Sequence, residues 1–491
     1  MTTGKQQSHS KKLPVLIVGA GPVGLTLALQ LTKFGVPVRI FDKAVRRTDK
    51  SKALVLWSRT LELLGNSAQK FIDGGLRVTG VSIFANTRVI GRLDVSGVQS
   101  PYPFALMIPQ SETERLLEEM LNQHGVIVER GVEVTSVMQT IDYAQAELTK
   151  PDGDKETVVV HWLVGCDGAH SLVRHSVGVA FDGETLQSDW ILGDVHIEQY
   201  PLVTEVLVHW HRKGILVMFP ITPDRLRIIA NVDSLGVEEP VTPTLDEIQK
   251  LVDERTRLKF KVSNPEWLAG FRINDRKVKD YRYGRLFLAG DAAHIHSPAG
   301  GQGMNTGMQD AFNLAWKLAL VTKGVCRENL LDSYSCERSY VGDIVLKASG
   351  RLTKVATLRS SVMQEIRNFM AHHILGLSPV QRSIVAQVTE VSIHYPDSPL
   401  NGGHVKSRPH SGERFLSKPG SLQPDEDERF ALHAGSIKKI DQQLFSRFEN
   451  LLQPTIYANE NSNAIYLVRA DGYVACSSED PGEIFAYLSK L

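Results

Sequence analysis

A glycine-rich turn between a predicted strand and a predicted helix constrains this chain more than any other feature of its sequence. The apolar run at 13–18 is typical of a strand buried on both faces, and the helix-forming run at 25–34 follows the turn. Between them, Gly19 permits a tight turn, Gly21 lets a pyrophosphate approach the backbone, and Gly24 lets the helix pack on the strand. Because the first turn of such a helix presents free N–H groups to phosphate, the pattern predicts a dinucleotide-binding site.

The second predicted strand, at 36–41, ends at Asp42, where a carboxylate would accept hydrogen bonds from an adenosine ribose. Arg46 and Arg47 follow a few residues later, and they allow two interpretations. They are compatible with recognition of the 2′-phosphate of NADP by a dehydrogenase, or they form a solvated basic loop, which we prefer. The glycine motif alone does not decide between FAD and a nicotinamide cofactor.

Two later segments each combine an apolar run with a glycine–aspartate corner: Asp167-Gly168 after the run at 157–164, and Gly290-Asp291 after the run at 285–289. A glycine-rich loop at 298–305 and a predicted helix over 306–321 follow the second corner, and together they form another site suited to an anion. Taken alone, Asp167 is compatible with a structural Asx turn and Asp291 with a helix N-cap.

These three motifs, in this order and this far apart, resemble those of the single-component (class A) flavoprotein aromatic hydroxylases. The segment 469–475 in addition resembles the thioredoxin-like tail of the phenol hydroxylase and aromatic polyketide hydroxylase branch of that family. The resemblance implies an α/β fold: a Rossmann-like FAD-binding domain with the para-hydroxybenzoate hydroxylase fold, an inserted antiparallel β-sheet substrate domain and a thioredoxin-like C-terminal domain. It also implies an FAD-dependent monooxygenase that hydroxylates a phenolic or polyketide-like aromatic substrate with NADH or NADPH and O2, by way of a flavin hydroperoxide.

Two other classes of function stay open beside hydroxylation. One is different flavin chemistry on the same scaffold, namely halogenation or reduction, although the Trp-x-Trp-x-Ile signature of flavin halogenases is absent from the sequence. The other is a non-catalytic flavoprotein sensor, but none of the three motifs is disrupted. We therefore expect an enzyme, an FAD-dependent aromatic monooxygenase that consumes NAD(P)H.

The resemblance also assigns cofactor contacts residue by residue. The assigned residues are Gly19, Gly21, Pro22, Gly24, Asp42 and Lys43 for the ADP half of FAD, then Lys52, Ala53, Gln110, Asp167, Gly168, Gly290 and Asp291, and finally Pro298, Gly301, Gly303, Met304 and Asn305 in the loop beside the flavin ring. No motif identifies the residue that takes the proton of the substrate. The family usually has an arginine where this chain has Lys52, which keeps the charge without the bidentate fork, so two alternatives stay open: Arg59 makes the contact, or neither residue does.

The middle of the chain, 184–276, alternates short apolar runs with turns, which predicts an antiparallel sheet. In the family such a sheet roofs the flavin ring, so the substrate-pocket candidates are Trp210, Met218, Phe219 and Pro220, with plain sheet core as the alternative for each. The predicted division is a disordered leader at 1–12, the FAD-binding domain at 13–183 and 277–397, the substrate domain at 184–276, a linker at 398–420 and the thioredoxin-like domain at 421–491.

Composition narrows the range of partners and compartments. Lysine plus arginine equals aspartate plus glutamate at 55 each, a balance that argues against a nucleic-acid partner. No apolar run reaches about 18 residues, so no membrane span is expected. The four cysteines contain no CxxC pair, which fits a reducing cytoplasm, and His294 and His296 have no third ligand at metal spacing, so no metal is expected. The expected partner is a small aromatic molecule, and a homodimer is compatible with the sequence.

Overall fold

The structure is a computed structural model, and it describes residues 14–86, 88–198, 204–234, 236–237, 240–256, 258–403, 405–406, 408–416, 426–435, 442–459 and 464–491. The predicted leader lies outside the described residues, as do parts of the predicted linker and of the predicted C-terminal domain. The predicted domain boundaries therefore stay predictions. Within the described ranges, no helix combines the length and the apolar character needed to cross a membrane.

The first glycine motif lies at the centre of a six-stranded sheet. Its strands, in spatial order, are β18 (Arg282–Tyr283), β19 (Leu286–Leu288), β12 (Leu163–Gly165), β1 (Val15–Val18), β2 (Val38–Asp42) and β8 (Glu129–Arg130). All neighbours pair in parallel except β18 and β19. All four residues of β1 are buried, which explains its uninterrupted apolar sequence. Because β1, β12 and β19 are parallel, the three glycine motifs that follow them meet at one edge of the sheet.

Two small sheets flank this core. Their strands are β9 (Glu133–Gln139), β10 (Ala144–Thr149) and β11 (Lys155–Val160) in the first, and β3 (Val55–Leu56), β7 (Ala105–Met107) and β4 (Leu76–Val78) in the second. Both are antiparallel. The apolar run at 157–164 is thus divided between two sheets, since β11 ends at Val160 and β12 begins at Leu163.

An eight-stranded sheet forms the second layer. In spatial order its strands are β20 (His294–Ile295), β17 (Lys261–Lys277), β13 (Asp182–Glu198), β16 (Arg225–Val232), β15 (Gly214–Thr222), β14 (Glu205–His211), β5 (Gly80–Ala85) and β6 (Arg88–Asp94). The predicted antiparallel pairing is observed throughout, apart from β14 and β5, which are parallel. The sheet is wider than the predicted segment 184–276, because β5, β6 and β20 join it from outside that segment.

The helices cover the sheets. They are α1 (Pro22–Lys33), α2 (Ser58–Leu63), α3 (Ala68–Asp73), α4 (Gln110–Gln123), α5 (Leu172–Ser176), α6 (Leu245–Thr256), α7 (Gly303–Thr322), α8 (Asp332–Ala356), α9 (Ser361–Ile374), α10 (Ser378–Val388), α11 (Gln442–Arg447) and α12 (Pro481–Leu488). Pro22 occupies the first turn of α1, where its missing N–H costs no hydrogen bond. Helix α7 packs on α1 and is buried continuously from Asn305 to Val321. Its first turn is therefore held rigidly at the edge of the sheet where the glycine motifs meet.

A five-stranded mixed sheet lies at the end of the chain. Its strands, in spatial order, are β21 (Gly402–Gly403), β25 (Val474–Ser478), β24 (Ile465–Val468), β22 (Phe430–Ala434) and β23 (Leu452–Ala458). The turn between β24 and β25 inserts its charged residues into the core of the preceding layers. There the Arg469 guanidinium contacts both carboxylate oxygens of Glu337 at 2.7 and 2.8 Å, and the Lys317 ammonium lies 2.7 Å from the same carboxylate. These side chains are fully buried.

Candidate active site

A cavity of about 610 Å³ lies between the three glycine motifs and one face of the eight-stranded sheet. Its lining consists of Gly21, Pro22, Val23, Thr48, Lys50, Lys52, Ala53, Leu54, Val55, Gln110, Cys166, Gly168, Phe219, Arg227, Ile229, Trp267, Ala289, Asp291, His296, Ser297, Pro298, Gly301, Gly303 and Met304. Of the predicted cofactor residues, those outside the lining are Gly19, Gly24, Asp42, Lys43, Asp167, Gly290 and Asn305. The structure thus brings residues from eight separate segments to one cavity. The predicted residues outside its lining contact the lining segments or lie at a distance from them.

The three glycines of the first motif occupy different environments. A Cβ at Gly19 would stand 2.3 Å from the Cys166 carbonyl oxygen, and one at Gly24 would stand 1.9 Å from the Gly19 carbonyl oxygen. Both positions therefore exclude a side chain for reasons internal to the fold. A Cβ at Gly21 would meet no atom within 4 Å, because it points into the cavity. Gly21 is also the N-cap of α1, whose first turn has neither a side-chain cap nor an acidic residue. The exposed N–H groups and the open approach fit a pyrophosphate.

Asp42 fastens the glycine turn to the second strand. Its Oδ2 accepts a hydrogen bond from the backbone N–H of Ala20 at 2.9 Å, and its Oδ1 accepts one from Ala44 at 2.8 Å. The adjacent Lys43 is exposed. Arg47 lies 3.6 Å from Glu118, so the basic loop is partly tied to α4. The contact of Asp42 with a ribose stays a prediction.

The second motif supplies one wall residue and one buried carboxyl group. Gly168, with φ +79°, lines the cavity. Asp167 Oδ2 accepts a hydrogen bond from the Val173 N–H at 3.2 Å, a contact with α5 six residues along the chain rather than the contact two residues on that defines an Asx turn. Its Oδ1 has no hydrogen-bond partner within the described ranges, and burial raises the pKa of the carboxyl group. Asp167 therefore combines a structural contact with one oxygen that is left without a partner.

The third motif places a carboxylate against the cavity. Gly290, at φ +58°, donates its N–H to Asp310 Oδ2 at 3.0 Å, and Asp310 is itself held by Arg338 at 2.6 Å and His294 at 2.8 Å. This buried anchor makes the turn rigid. Asp291 faces the cavity from the turn Gly290–Ala292, does not cap a helix, and receives no hydrogen bond from the residues the structure describes. Desolvation inside the fold raises the pKa of Asp291, and electrostatic interactions with His294 and Lys52 oppose that rise.

Lys52 and Gln110 hold the opposite wall. Gln110 Oε1 accepts a hydrogen bond from the Ala53 N–H at 3.1 Å, which ties the loop carrying Lys52 to the start of α4. Lys52 lines the cavity, as the resemblance implies for a phosphate contact. The alternative, Arg59, lies elsewhere: it binds Glu62 at 2.9 Å and stacks over the ring of Tyr473 at 4.7 Å. Of these two cations, Lys52 is thus the one that lines the cavity, and its contact with FAD stays a prediction.

The loop before α7 lines the cavity through Pro298, Gly301, Gly303 and Met304. Asn305 is fully buried behind it. Its Oδ1 accepts a hydrogen bond from the Trp57 N–H at 2.8 Å, and its Nδ2 donates to the carbonyl oxygens of Val55 at 2.9 Å and Gly301 at 3.1 Å. Asn305 therefore shapes the loop from outside the cavity lining, and its place beside the flavin ring stays a prediction.

His296 is a cavity residue to which the sequence assigned no role. Its Nδ1 lies 2.8 Å from the carbonyl oxygen of Ser297, and because a carbonyl only accepts, Nδ1 must carry the proton. The neutral ring then has its lone pair on Nε2, which has no partner among the described residues. Burial lowers the pKa of His296 to about 4, so the ring is neutral at physiological pH. The result is an acceptor nitrogen beside the loop at 298–305. Within the described residues, no three His, Cys, Asp or Glu side chains group as a metal site.

Of the four predicted substrate contacts, the structure places Phe219 in the cavity lining. Met218, on the other face of the strand, is buried in the core beneath α6, and Trp210 stacks under the Arg367 guanidinium at 4.3 Å. Pro220 is likewise buried outside the lining. Trp210, Met218 and Pro220 therefore lie in the sheet core, the alternative that the sequence left open, and a role for them in substrate binding stays a prediction.

The sheet instead contributes Arg227, Ile229 and Trp267, which the sequence did not single out. Arg227 is 1% exposed and forms a bidentate ion pair with Asp194. It also donates to the carbonyl oxygens of Ser51 and Lys52, the latter at 3.0 Å. This arginine joins the roof of the cavity to the loop that carries Lys52.

Comparison with known proteins adds the family. The sequence profile of the family described as "FAD binding domain" matches residues 12–349. The chain is 39% identical over 399 residues to a 6-methylpretetramide 4-monooxygenase from Streptomyces rimosus, covering 79% of this chain and 71% of the relative. It is 31% identical over 492 residues to a rifampicin monooxygenase from Streptomyces venezuelae, covering 96% of each. Its structure is similar to that of the anhydrotetracycline hydroxylase OxyS from Streptomyces rimosus, with a TM-score of 0.78, 27% identity and 96% of each chain covered.

Proposed function

The chain belongs to the FAD-dependent monooxygenases of aromatic compounds, and on that premise we propose that its substrate is a phenol of several fused rings, as in aromatic polyketides, rather than a single-ring phenol. The family fixes FAD as the cofactor, with NAD(P)H and O2 as co-substrates. The relatives named above act on 6-methylpretetramide, rifampicin and anhydrotetracycline, which supports a large substrate. We also propose a cytoplasmic location, which the four free cysteines support.

The proposal rests on a row of side chains across the roof of the cavity. Phe219 on β15 pairs with Arg227 on β16, Arg227 with Asp194 on β13, and Asp194 with Trp267 on β17. Residues in register on neighbouring strands share a face, so the row crosses four strands on one side of the sheet. Three inter-strand spacings of about 4.8 Å make it about 14 Å long. Aromatic rings stand at both ends, which suits a flat substrate longer than one ring.

We propose that FAD lies along the opposite side of the cavity. Gly21 and the first turn of α1 would hold the pyrophosphate, Lys52 a phosphate oxygen, and Asp291 the hydroxyl groups of the ribityl chain. The loop at 298–305 would lie beside the flavin ring. The bound FAD would accept electrons from NAD(P)H and pass them to O2. The rings of Phe219 and Trp267 in the roof would exclude water from the reacting atoms, which limits loss of the oxygen as hydrogen peroxide.

We propose His296 as the residue nearest the reaction that can accept a proton. Its Nε2 carries a lone pair because the Ser297 carbonyl fixes the proton on Nδ1. A phenolic O–H becomes far more acidic as its ring gains an oxygen, since the C–O bond takes on carbonyl character. A weak neutral base is then sufficient to take that proton, and the lowered pKa of His296 keeps it available at neutral pH.

The test compares fused-ring phenols with single-ring phenols in NAD(P)H consumption and in oxygen incorporation measured by mass spectrometry. We expect fused-ring substrates to give a product with one added oxygen and little hydrogen peroxide, and single-ring phenols to give mainly peroxide. Trp267→Ala should raise KM for a fused-ring substrate at least severalfold, while the control Tyr143→Ala, at a partly exposed ring 36% accessible to solvent, should not. Efficient single-ring hydroxylation, indifferent to Trp267→Ala, would refute the proposal.

A further inference from the structure

Helix α9 is built with its polar face inward and its apolar face outward. Its buried residues are Gln364 and Arg367. Gln364 donates to the Leu358 carbonyl at 2.6 Å, and Arg367 donates to the Val355 and Ala356 carbonyls at 3.2 and 3.1 Å. These bonds dock α9 on the end of α8, while the Arg367 guanidinium stacks on Trp210 and Ala371 packs against the sheet. This is the reverse of the arrangement expected for a helix on the surface of a monomer.

The outward face carries a large apolar surface. The exposed side chains are Val362, Met363, Ile366, Phe369, Met370 and Ile374 on α9, with Leu352 and Val355 at the end of α8 and Leu377 before α10. They are 36–66% exposed, and those of α9 recur at the three- and four-residue spacing of one helical face. Large apolar side chains have about 150–250 Å² of surface each, so these nine together present on the order of 900 Å². We call this surface the α9 face.

We propose that the α9 face is the interface of a homodimer, in which two copies of this chain pack their α9 helices against each other across a twofold axis. A standard interface buries about 800 Å² per partner, which the α9 face matches. Phenylalanine and methionine are enriched in such interfaces. An apolar face is complementary to itself, which is the requirement of a twofold contact.

The two longest segments outside the described residues offer little with which to cover this surface. The longest segments outside the described residues, 1–13 and 417–425, contain three large apolar residues between them, Met1, Leu13 and Leu422, against nine on the α9 face. Two cations near this surface are also paired within the chain. Lys354 lies 3.7 Å from Glu184, and Arg359 lies 3.7 Å from Asp233, so each faces a carboxylate of its own chain. A membrane-binding helix would instead present its cations to lipid headgroups.

The test is the mass of the FAD-loaded full-length protein by sedimentation equilibrium over a wide concentration range. We expect the wild type to be a dimer, and Ile366→Asp and Phe369→Asp to raise its dissociation constant at least tenfold. Since both side chains are exposed, the variants should keep the flavin absorption spectrum of the wild type. Ile141→Asp is the matched control: this isoleucine is 85% exposed on another surface, and its replacement should leave the dimer intact.

Three outcomes would overturn the proposal. The first is a wild-type protein that stays monomeric at every concentration. The second is a dimer that both α9 variants retain. The third is co-sedimentation of the wild type, but not of Ile366→Asp, with phosphatidylglycerol vesicles, which would identify a lipid surface as the partner of the α9 face.

Discussion

Two regions of this molecule surround a carboxylate in opposite ways: Glu337 is fully buried among cations, whereas Asp291 is exposed to the cavity. At the joint with the C-terminal sheet, Glu337, Lys317, Arg469 and Asp471 are fully buried or nearly so, and each binds a partner of opposite charge. Around the cavity, Asp291 receives no hydrogen bond from the described residues. A joint completed within the chain is structural, whereas polar groups that line a cavity and lack protein partners are the ones left for a ligand.

A buried polar atom without a partner does not always mark a binding site, as His209 shows. His209 is buried, neither of its ring nitrogens has a partner in the part of the chain that the structure describes, and burial lowers its pKa to about 4. It stacks on Phe84, with ring centres 4.6 Å apart, outside the cavity lining. An unpartnered polar atom thus indicates binding only where a cavity gives a ligand access to it.

The largest expected effect tests the paired region. Glu337→Ala would leave the buried charges of Arg469 and Lys317 with a single carboxylate, Asp471, between them, and we expect a loss of about 3–5 kcal/mol in the free energy of unfolding. Chemical denaturation measures it. The control Glu328→Ala removes a partner of Arg285 at a surface site and should cost less than about 1 kcal/mol. If both variants lose a similarly small free energy of unfolding, the buried ion pairs of Glu337 do not stabilise the fold.

The buried ion pairs of Glu337 also predict that the protein loses stability in acid. Although burial alone would raise it, the cations Arg469 and Lys317 hold the pKa of Glu337 well below its ordinary value of 4.5. The folded chain therefore binds fewer protons than the unfolded chain below that value. The stability from this carboxylate is present above about pH 4.5 and is lost as the pH falls further.

The second prediction tests the unpaired region. Asp291→Ala should weaken FAD binding by about 2 kcal/mol, roughly thirtyfold in Kd, because a carboxylate that binds hydroxyl groups is lost. Since no described residue depends on this carboxylate, the apoprotein should keep its unfolding free energy. Fluorescence titration with FAD and denaturation of the apoprotein measure the two quantities, with Asp142→Ala, at an exposed site, as control. Loss of apoprotein stability equal to that of Glu337→Ala would erase the distinction between the regions.

Sequence analysis predicted the wall near the glycine turns better than the roof of the cavity. The roles of Gly19, Gly21 and Gly24 follow from local geometry, and the periodicity of α1 and α4 is visible in the sequence. In the roof, Met218 and Phe219 are adjacent on one strand, and successive residues point to opposite faces. Since both faces of this strand are covered, nothing local indicates which of the two faces the cavity.

Long-range pairing was also beyond the sequence. The hairpin of β5 and β6 joins the eight-stranded sheet by pairing β5 with β14, more than a hundred residues later in the chain. Likewise Trp267 enters the cavity only through its register with Asp194. Neither partner can be identified from the residues around it. His296 was considered only as half of a metal pair, and the contact that fixes its tautomer is made by the carbonyl of Ser297.

The third prediction concerns a buried carboxyl group that has hydrogen-bond partners among the described residues, unlike Asp291, although those partners are uncharged, unlike the partners of Glu337. Glu390 is fully buried beside the first turns of α7, and its partners are the neutral donors Thr306 at 2.7 Å and Gln309 at 2.6 Å rather than cations. Burial raises its pKa from 4.5 to about 7. The folded chain then holds more protons than the unfolded chain between pH 4.5 and about 7, so stability falls as the pH rises through that window.

Replacement of Glu390 by glutamine removes this titration. We expect Glu390→Gln to be more stable than the wild type by about 3 kcal/mol above pH 7 and equal to it near pH 4.5. Thermal or chemical unfolding at several pH values measures the difference. If the variant is less stable than the wild type at high pH, the ionised carboxylate of Glu390 is stabilised by its neighbours. Neutral hydrogen-bond donors would then stabilise a buried carboxylate as well as the cations around Glu337 do.

The smallest effect returns to the cavity. His296→Phe keeps an aromatic ring at this position but removes both nitrogens, so the fold should lose little stability. The fraction of NAD(P)H that yields hydroxylated product should drop a few-fold, because Nε2 no longer accepts a proton. The matched control is His209→Phe, which removes the unpartnered nitrogens of a buried ring outside the cavity and should leave this fraction unchanged. Because the pKa of His296 is about 4, the wild-type yield should show no titration from this ring between about pH 5 and 8. If the wild-type yield changes near pH 6.5 and His296→Phe abolishes that change, the ring is charged in the working enzyme. If both variants lose the same fraction of hydroxylated product, access to the cavity does not distinguish the two histidines.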